Sequence, residues 1–291
     1  MTESPAPQNP SVDAAAEARP FAGRTVLMSG GSRGIGLAIA LQLAAGGANI
    51  ALMAKTATAH PSLEGTVYTA AEQIRALGVK ALPIVGDVRN DEDVQGAVEA
   101  TVAEFGGIDI VVNNASAIDL STTDAVSMKR YDLMQDINVR GTFLLSKLSL
   151  DALRASDNPH ILTLSPPLNL DPKWAGANLA YTMAKYGMSL TTLGLAEELR
   201  GDGIAVNSLW PATIINTAAI RNLPGGEKII GGARKDSIVS DAAAVILARP
   251  AAECTGNFFI DEDVLRSEGI TDFTSYSMGA PEDQLFPDMF L

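Results

Sequence analysis

Short apolar runs and helix-patterned stretches take turns along most of the chain. Thr25–Met28 is apolar and ends in a glycine cluster, as a buried strand bounded by a turn would. Ile35–Ala45 follows with helical spacing and stops at Gly46-Gly47, a C-terminal cap signal. The same pattern predicts strands at Ala48–Ala54, Ala81–Val85, Ile108–Val112, His160–Leu164, Ile204–Leu209 and Asn257–Ile260. It predicts helices over Thr69–Leu77, Asp91–Phe105, Val126–Ala155 and Asn178–Arg200. Repeated strand–helix order implies a parallel sheet covered on both faces, a Rossmann-type doubly wound α/β fold. Right-handed crossovers then gather the loops after the strands along one edge, where ligands bind. Neither an internal repeat nor a linker splits residues 21–265, so one domain over 21–262 is expected.

Composition changes the picture at the two ends. Residues 1–20 contain Pro5, Pro7, Pro10 and Pro20, no apolar stretch, and Glu3, Asp13 and Glu17 against Arg19. They read as a disordered arm, not as a secretory signal or an Arg-rich transit peptide. From Asp261 onward there are eight acids and one base, Arg266, a net of −7. That stretch also holds Phe273, Tyr276, Phe286 and Phe290, four of the 15 aromatics. Disordered chains avoid aromatics, so residues 263–291 are expected to pack on their own domain or on a neighbouring subunit. A solvated acidic tail is the alternative on composition alone.

Over the whole chain, 21 basic against 34 acidic residues give a net charge of −13. This argues against nonspecific binding to nucleic acid or an anionic membrane. No run of about 18 apolar residues predicts a membrane span. Cys254 is the only cysteine, which excludes an intrachain disulfide and a cysteine metal cluster. His60 and His160 are too few and too far apart for a zinc site. A cytoplasmic protein without a metal is the expectation.

Candidate chemistry begins at Ser29-Gly30-Gly31-Ser32-Arg33-Gly34-Ile35-Gly36, between the first strand and the first helix. Gly30, Gly34 and Gly36 let the turn close and bring the backbone near a pyrophosphate, with Ser32, Arg33 and Ile35 between them. The helix N-terminus adds free N–H groups and a positive dipole. Alone, such a turn is often only a turn; its place after the first strand favours a nucleotide. An NAD-preferring fold places an acid at the end of the second strand for the ribose 2′-OH. Here Lys55 stands there, 19 residues after Gly36, and the nearest acid beyond it is Glu64. Lys55 and Arg33 suit a 2′-phosphate, so NADP(H) is expected over NAD(H). The plainer reading of Lys55 is a solvated surface lysine.

Tyr181 and Lys185 stand at i and i+4 in a helical pattern and project from one face. A phenol with a reference pKa near 10 exchanges protons poorly at pH 7, and a nearby ammonium lowers that pKa. The pair can then pass a proton to or from a carbinol oxygen. By itself the spacing is common.

Together, the loop at Gly30–Gly36, Asp87-Val88, Asn113-Asn114-Ala115, Asn138 and Tyr181…Lys185 resemble the short-chain dehydrogenase/reductase family in kind and order. The resemblance covers about residues 22–262. Ala54–Ala57, Ser165–Leu170, Ala180–Ser189, Trp210-Pro211, Gly256–Glu262 and Pro287–Phe290 are similar to one branch of it in particular. The resemblance implies that Tyr181 is the general acid/base, that Lys185 binds the nicotinamide ribose and tunes Tyr181, and that Asn138 helps hold a proton-relay water. It implies that Asp87 contacts the adenine with Val88 beside it. Asn113, Asn114, Ala115 and Pro211 would border the cofactor cleft. Turn chemistry alone is the other account of Asn113 and Asn114. A homodimer or homotetramer is implied as well.

One departure stands out. The family places a serine at a set distance before the tyrosine to polarise the substrate carbonyl, and Pro166 occupies the aligned spot. Ser165 precedes Tyr181 by 181 − 165 = 16 residues, more than usual. Either Leu168–Ala177 is an insertion and Ser165 serves, or no serine does.

Thr213–Lys235 follows the sixth predicted strand, where this family keeps its substrate loop. Ile214, Ile215, Ile220, Leu223, Ile229 and Ile230 suggest an apolar pocket. Arg221, Lys228, Arg234 and Lys235 against Glu227 and Asp236 give a local +2. An apolar or lipid-like carbonyl, with an anionic end, is one expectation; a mobile solvated loop is the other. The leading functional reading is an NADP(H)-dependent oxidoreductase on a small-molecule carbonyl or alcohol. The rival is a non-catalytic nucleotide- or lipid-sensing protein on the same fold.

Overall fold

The alternating pattern resolves into seven strands: β1 (Thr25–Ser29), β2 (Asn49–Ala54), β3 (Ala81–Val85), β4 (Ile110–Asn113), β5 (His160–Thr163), β6 (Ala205–Trp210) and β7 (Phe258–Ile260). The computed structural model describes residues 19–58, 65–223 and 225–291. The predicted N-terminal arm, apart from Arg19 and Pro20, and His60 lie outside them. All six strand pairs are parallel, in the order β3-β2-β1-β4-β5-β6-β7. The order reverses between β1 and β4, the position where a doubly wound sheet opens a crevice.

Register decides what shares that crevice. Ile84, Met53, Ser29, Asn113, Thr163, Ser208 and Phe258 lie in one row across the sheet. Residues just beyond the row therefore meet along a single edge: the glycine turn, Lys55, Asp87, Asn114, Leu164 and Pro211. The strands are short and the inner five, β1, β2, β4, β5 and β6, are buried on both faces, which is why they read as nearly continuous apolar runs.

The helices are α1 (Gly34–Ala45), α2 (Val67–Arg75), α3 (Asp91–Phe105), α4 (Met128–Met134), α5 (Gly141–Arg154), α6 (Pro172–Ala177), α7 (Leu179–Glu198), α8 (Ala218–Arg221), α9 (Gly226–Ile229), α10 (Ser237–Ala248) and α11 (Asp261–Ser267). One core joins α1, α2 and α10 to the sheet through Ile39, Leu43, Ile74, Ile238 and Ile246. The other face packs α3, α5 and α7 through Val94, Val98, Leu145, Leu153 and Leu195.

Three departures from the pattern have physical causes. The single helix expected over Val126–Ala155 is α4 and α5 joined by a π-helical turn, Gln135–Arg140. An inserted residue of this kind does not disturb an apolar periodicity enough to be read from it. Helix α10 was not foreseen: its sequence is apolar nearly all round because it packs against α1, α11 and the sheet. The substrate-loop stretch holds α8 and α9, each a single turn without its own apolar period.

Candidate active site

The glycine turn is shaped by contact with the loop after β4. Gly30 has φ +75°, and a Cβ there would lie 2.8 Å from Ala115 Cα. A Cβ on Gly36 would collide with Asn114 Nδ2. Asn114 Nδ2 donates to the Gly30 carbonyl at 2.8 Å, and Ser29 Oγ accepts from the Asn114 and Ala115 N–H groups at 3.2 Å. Gly34, at φ +53°, begins α1, whose cap residue Arg33 makes no side-chain cap bond. The first N–H groups of α1 thus lack a side-chain cap.

A cavity of about 470 Å³ lies along this edge. Gly30, Ser32, Arg33, Gly34, Ile35 and Gly36 line it at one end. Lys55, Asp87, Val88, Asn114 and Ala115 continue the wall, and Tyr181, Lys185 and Pro211 close the other end. Asn138, Asn113 and Ser165 are not among its lining residues.

The charges at the glycine-turn end are paired with one another. Lys55 Nζ lies 3.2 Å from Asp87 Oδ2, and the Arg89 guanidinium grips the same carboxylate, with Nη2 at 2.6 Å from Oδ2. The Arg89 hydrogen bond foremost, then Lys55, holds Asp87 well below the usual carboxylate range. Arg33 Nη2 donates to the Gly65 carbonyl at 2.9 Å. Arg89 was missed by sequence reasoning; its place two residues after a strand-end aspartate was the available signal.

Asn113 turns inward, donating to Ser146 Oγ at 3.0 Å, which removes it from the cleft wall that the resemblance assigns to it. Asn138 sits in the π-helical turn, fully buried. Its Oδ1 accepts from the Ala117 N–H at 2.7 Å and its Nδ2 donates to the Ala117 carbonyl at 3.0 Å. This side chain pins the loop after β4 and has both polar atoms engaged.

Tyr181 and Lys185 lie one turn apart on α7, both buried. Lys185 Nζ donates to the Leu164 carbonyl at 2.9 Å and stands 5.1 Å from the Trp210 ring centre. Desolvation pushes the ammonium down to about 8, with the Asp288 carboxylate opposing it. Burial and then Asp288 push the Tyr181 phenol above its ordinary value. Sequence reasoning expected the neighbouring ammonium to lower it. Desolvation wins in this arrangement because the ring is enclosed and the phenolate would lose its hydration.

Ser165 is buried behind the cleft. Its hydroxyl shares a 2.8 Å hydrogen bond with Ser208 Oγ, which in turn donates to Thr192 Oγ1. Pro166 supplies no donor in its place.

The acidic segment after β7 completes this end. Phe290 is fully buried, 5.3–6.3 Å from the ring centres of Trp174, Tyr181, Tyr186 and Trp210. Arg234, counted above among loop cations, is buried and paired with Glu262 and Glu282, so it anchors this segment and is withheld from a ligand. Lys235 Nζ donates to the Ser275 carbonyl at 2.7 Å. Among the described residues no cluster of His, Cys, Asp or Glu has the makings of a metal site, and no helix is long and apolar enough to cross a membrane.

The family profile described as short chain dehydrogenase matches residues 24–227. The chain is 55% identical over 271 residues to hydroxysteroid dehydrogenase-like protein 2 of Danio rerio, covering 93% of this chain and 64% of that protein. It therefore spans just under two thirds of that relative's length. A short chain dehydrogenase from Mycobacterium thermoresistibile is 53% identical, with a TM-score of 0.87 over 92% of this chain and 95% of that one. A short-chain dehydrogenase/reductase from Serratia marcescens is 27% identical, with a TM-score of 0.71 over 83% and 97%.

Proposed function

This chain belongs to the short-chain dehydrogenase family, and from that premise we propose that it is an NADP(H)-dependent oxidoreductase interconverting a carbonyl and an alcohol, with Tyr181 as general acid/base. One observation carries the reading. A single cavity has an uncapped helix start and a glycine turn at one end and the Tyr181–Lys185 pair at the other. A dinucleotide needs both: N–H groups for its pyrophosphate, and a proton-transferring group where its nicotinamide ends.

The residues fit such a cofactor. Gly30 and Gly36 leave the backbone bare where any Cβ would collide with the neighbouring loop. Arg33 and Lys55 on the cavity wall would hold the 2′-phosphate, Asp87 and Val88 the adenine, and Asn114, Ala115 and Pro211 the remainder of the dinucleotide. When bound, it supplies or accepts the hydride. Lys185 would hold the nicotinamide ribose and give Tyr181 the positive field that burial denies it otherwise. Tyr181 then moves the proton at the substrate oxygen. Ile118, Ile137, Leu164, Trp210 and Ile215 in the cavity wall favour an apolar or lipid-like substrate.

Exposed Met183, Leu190 and Leu193 on α7 and Phe143 on α5 support a homodimer or homotetramer packed through these helices. A second reading, a nucleotide or lipid sensor without turnover, has one observation in its favour: Ser165 is bonded to Ser208 behind the cleft.

Titration with NADPH and NADH, followed by nicotinamide fluorescence, tests the cofactor. Tight NADPH and weak NADH binding is expected, with Lys55→Asp lowering NADPH affinity by about tenfold or more. An unchanged NADPH/NADH ratio in that variant overturns the preference. Tyr181→Phe is expected to reduce turnover by about 10³-fold with NADPH binding intact. Equal turnover in this variant assigns the proton to another group.

A further inference from the structure

Asp288 enters the cavity beside Tyr181 and Lys185. Its backbone N–H donates to the Ala212 carbonyl at 3.0 Å, and its Oδ1 accepts from the Met289 N–H at 2.6 Å. The next two residues are fixed as well. Trp210 Nε1 donates to the Met289 carbonyl at 2.9 Å, and Asn169 Nδ2 to the Phe290 carbonyl at 3.1 Å. Phe290 adopts φ +75°, a region bulky side chains avoid, and four surrounding rings hold it there. Strain sustained by packing marks a position that the rest of the structure over-determines. Among the described residues, nothing hydrogen-bonds the second oxygen of Asp288.

The same end of the cleft lacks the serine donor. Pro166 has no hydroxyl, and Ser165 spends its own on Ser208. A carbonyl oxygen next to Tyr181 therefore needs a second donor from elsewhere. We propose that Asp288 is a further catalytic residue, its protonated carboxyl donating a hydrogen bond to the substrate's carbonyl oxygen beside Tyr181. This deepens the oxidoreductase reading and rests on it.

The surroundings favour the proton. Desolvation pushes the Asp288 carboxyl up to about 7; the Met289 N–H opposes this, Asp261 at the start of α11 adds to it, and Lys185 on α7 opposes it. Tyr181 faces it from α7, and Glu262 and Arg234 lie behind Asp261. In the reduction the carbonyl carbon gains the hydride of the reduced dinucleotide and the oxygen gains the Tyr181 proton, so C=O becomes CH–OH. Asp288 keeps its proton throughout and stabilises the charge that develops on oxygen. Above pH 7 the ionised carboxylate accepts instead of donating, and the contact turns repulsive.

The test uses 2-decanone, a neutral apolar ketone, titrated into the protein at pH 6 and pH 8.5. Intrinsic fluorescence reads the site because the chain's two tryptophans, Trp174 and Trp210, both flank Phe290. Wild-type affinity is expected to fall about tenfold between the two pH values. Asp288→Asn keeps a donor and the shape, so the tenfold fall is expected to disappear, leaving only the smaller change from Lys185, whose ammonium titrates near 8. Asp288→Ala is expected to bind about tenfold more weakly at pH 6 and to lose about 10²-fold in kcat/KM for NADPH-dependent reduction of the same ketone. Asp283→Asn, in an exposed part of the same segment, should match wild type. Wild-type binding and turnover in Asp288→Ala, or the full tenfold pH dependence retained in Asp288→Asn, overturns the assignment alone. Ketone binding without any NADPH oxidation by the wild-type protein overturns the oxidoreductase reading itself.

Discussion

The two ends of the cleft are built by different means. The glycine-turn end is made of backbone: β1 and β4 lie side by side, and the loops after them touch through Gly30, Gly36, Asn114 and Ala115. Its parts are short and each follows directly from a strand end. The Tyr181 end is made of side chains from four separate stretches: Asn169 to Trp174, Tyr181 to Tyr186, Trp210 and Met289 to Phe290. Nothing local holds those stretches together; burial of aromatic surface and a few long-range hydrogen bonds do. The first end is thus a property of the fold, and the second is the part that one chain shapes for its own substrate.

Breaking the second end should leave the first intact. Phe290→Ala removes the ring at the centre of the aromatic group, and unfolding free energy should fall by about 3 kcal/mol. Ketone affinity should fall with it while NADPH affinity stays near wild type, as denaturant titration and fluorescence together report. Parallel loss of NADPH binding would show that the two ends are one cooperative unit.

The reverse experiment is Gly30→Ala. A methyl group at φ +75° and 2.8 Å from Ala115 Cα must displace the loop after β4. About 2 kcal/mol of stability should be lost, with NADPH affinity reduced and ketone affinity little changed. Calorimetry and the same two titrations check it.

The smallest effect separates the carboxylates of the two ends by pH. Asp87 is held low by Arg89 and Lys55, so it stabilises the fold above its unfolded pKa near 3.8 and that contribution is lost as pH falls below it. Asp288 is raised to about 7, so the folded state binds the extra proton and stability declines as pH rises from 3.8 to 7. Asp288→Asn should therefore raise Tm by a few degrees at pH 8 and leave it unchanged near pH 4. Asp87→Asn should lower Tm at pH 7. A Tm for Asp288→Asn that parallels wild type at every pH removes the buried-carboxyl account.

Much of this was legible because it is local. Strand and helix identity follow from periodicity, and Asp91–Phe105 emerged with the same bounds in sequence and structure. The glycine turn, Lys55, Asp87 and the Tyr181–Lys185 pair could be read because each is a short motif tied to one element. Asp87 also showed the limit: the sequence displays the acid and Arg89 two residues on, but Lys55 reaches it only across two strand ends. Ser165 shows the same limit from the other side. A spacing of 16 residues leaves its direction open, and only the neighbouring β6 strand, with Ser208, turns the hydroxyl inward.

By itself, then, the sequence determined the α/β order, the strand edge on which a dinucleotide site is built and the residue types able to move a proton. Those depend on interactions within a few residues or within one periodic element. The tertiary structure decided that the Tyr181 phenol is raised, that Asn138 clamps Ala117, that Arg234 is an anchor, and that Asp288 reaches the cleft while Phe290 is buried among the neighbouring rings. Each of these depends on how much water is excluded and on which distant group arrives, and desolvation and long-range contact are set by packing, which no single stretch of chain contains.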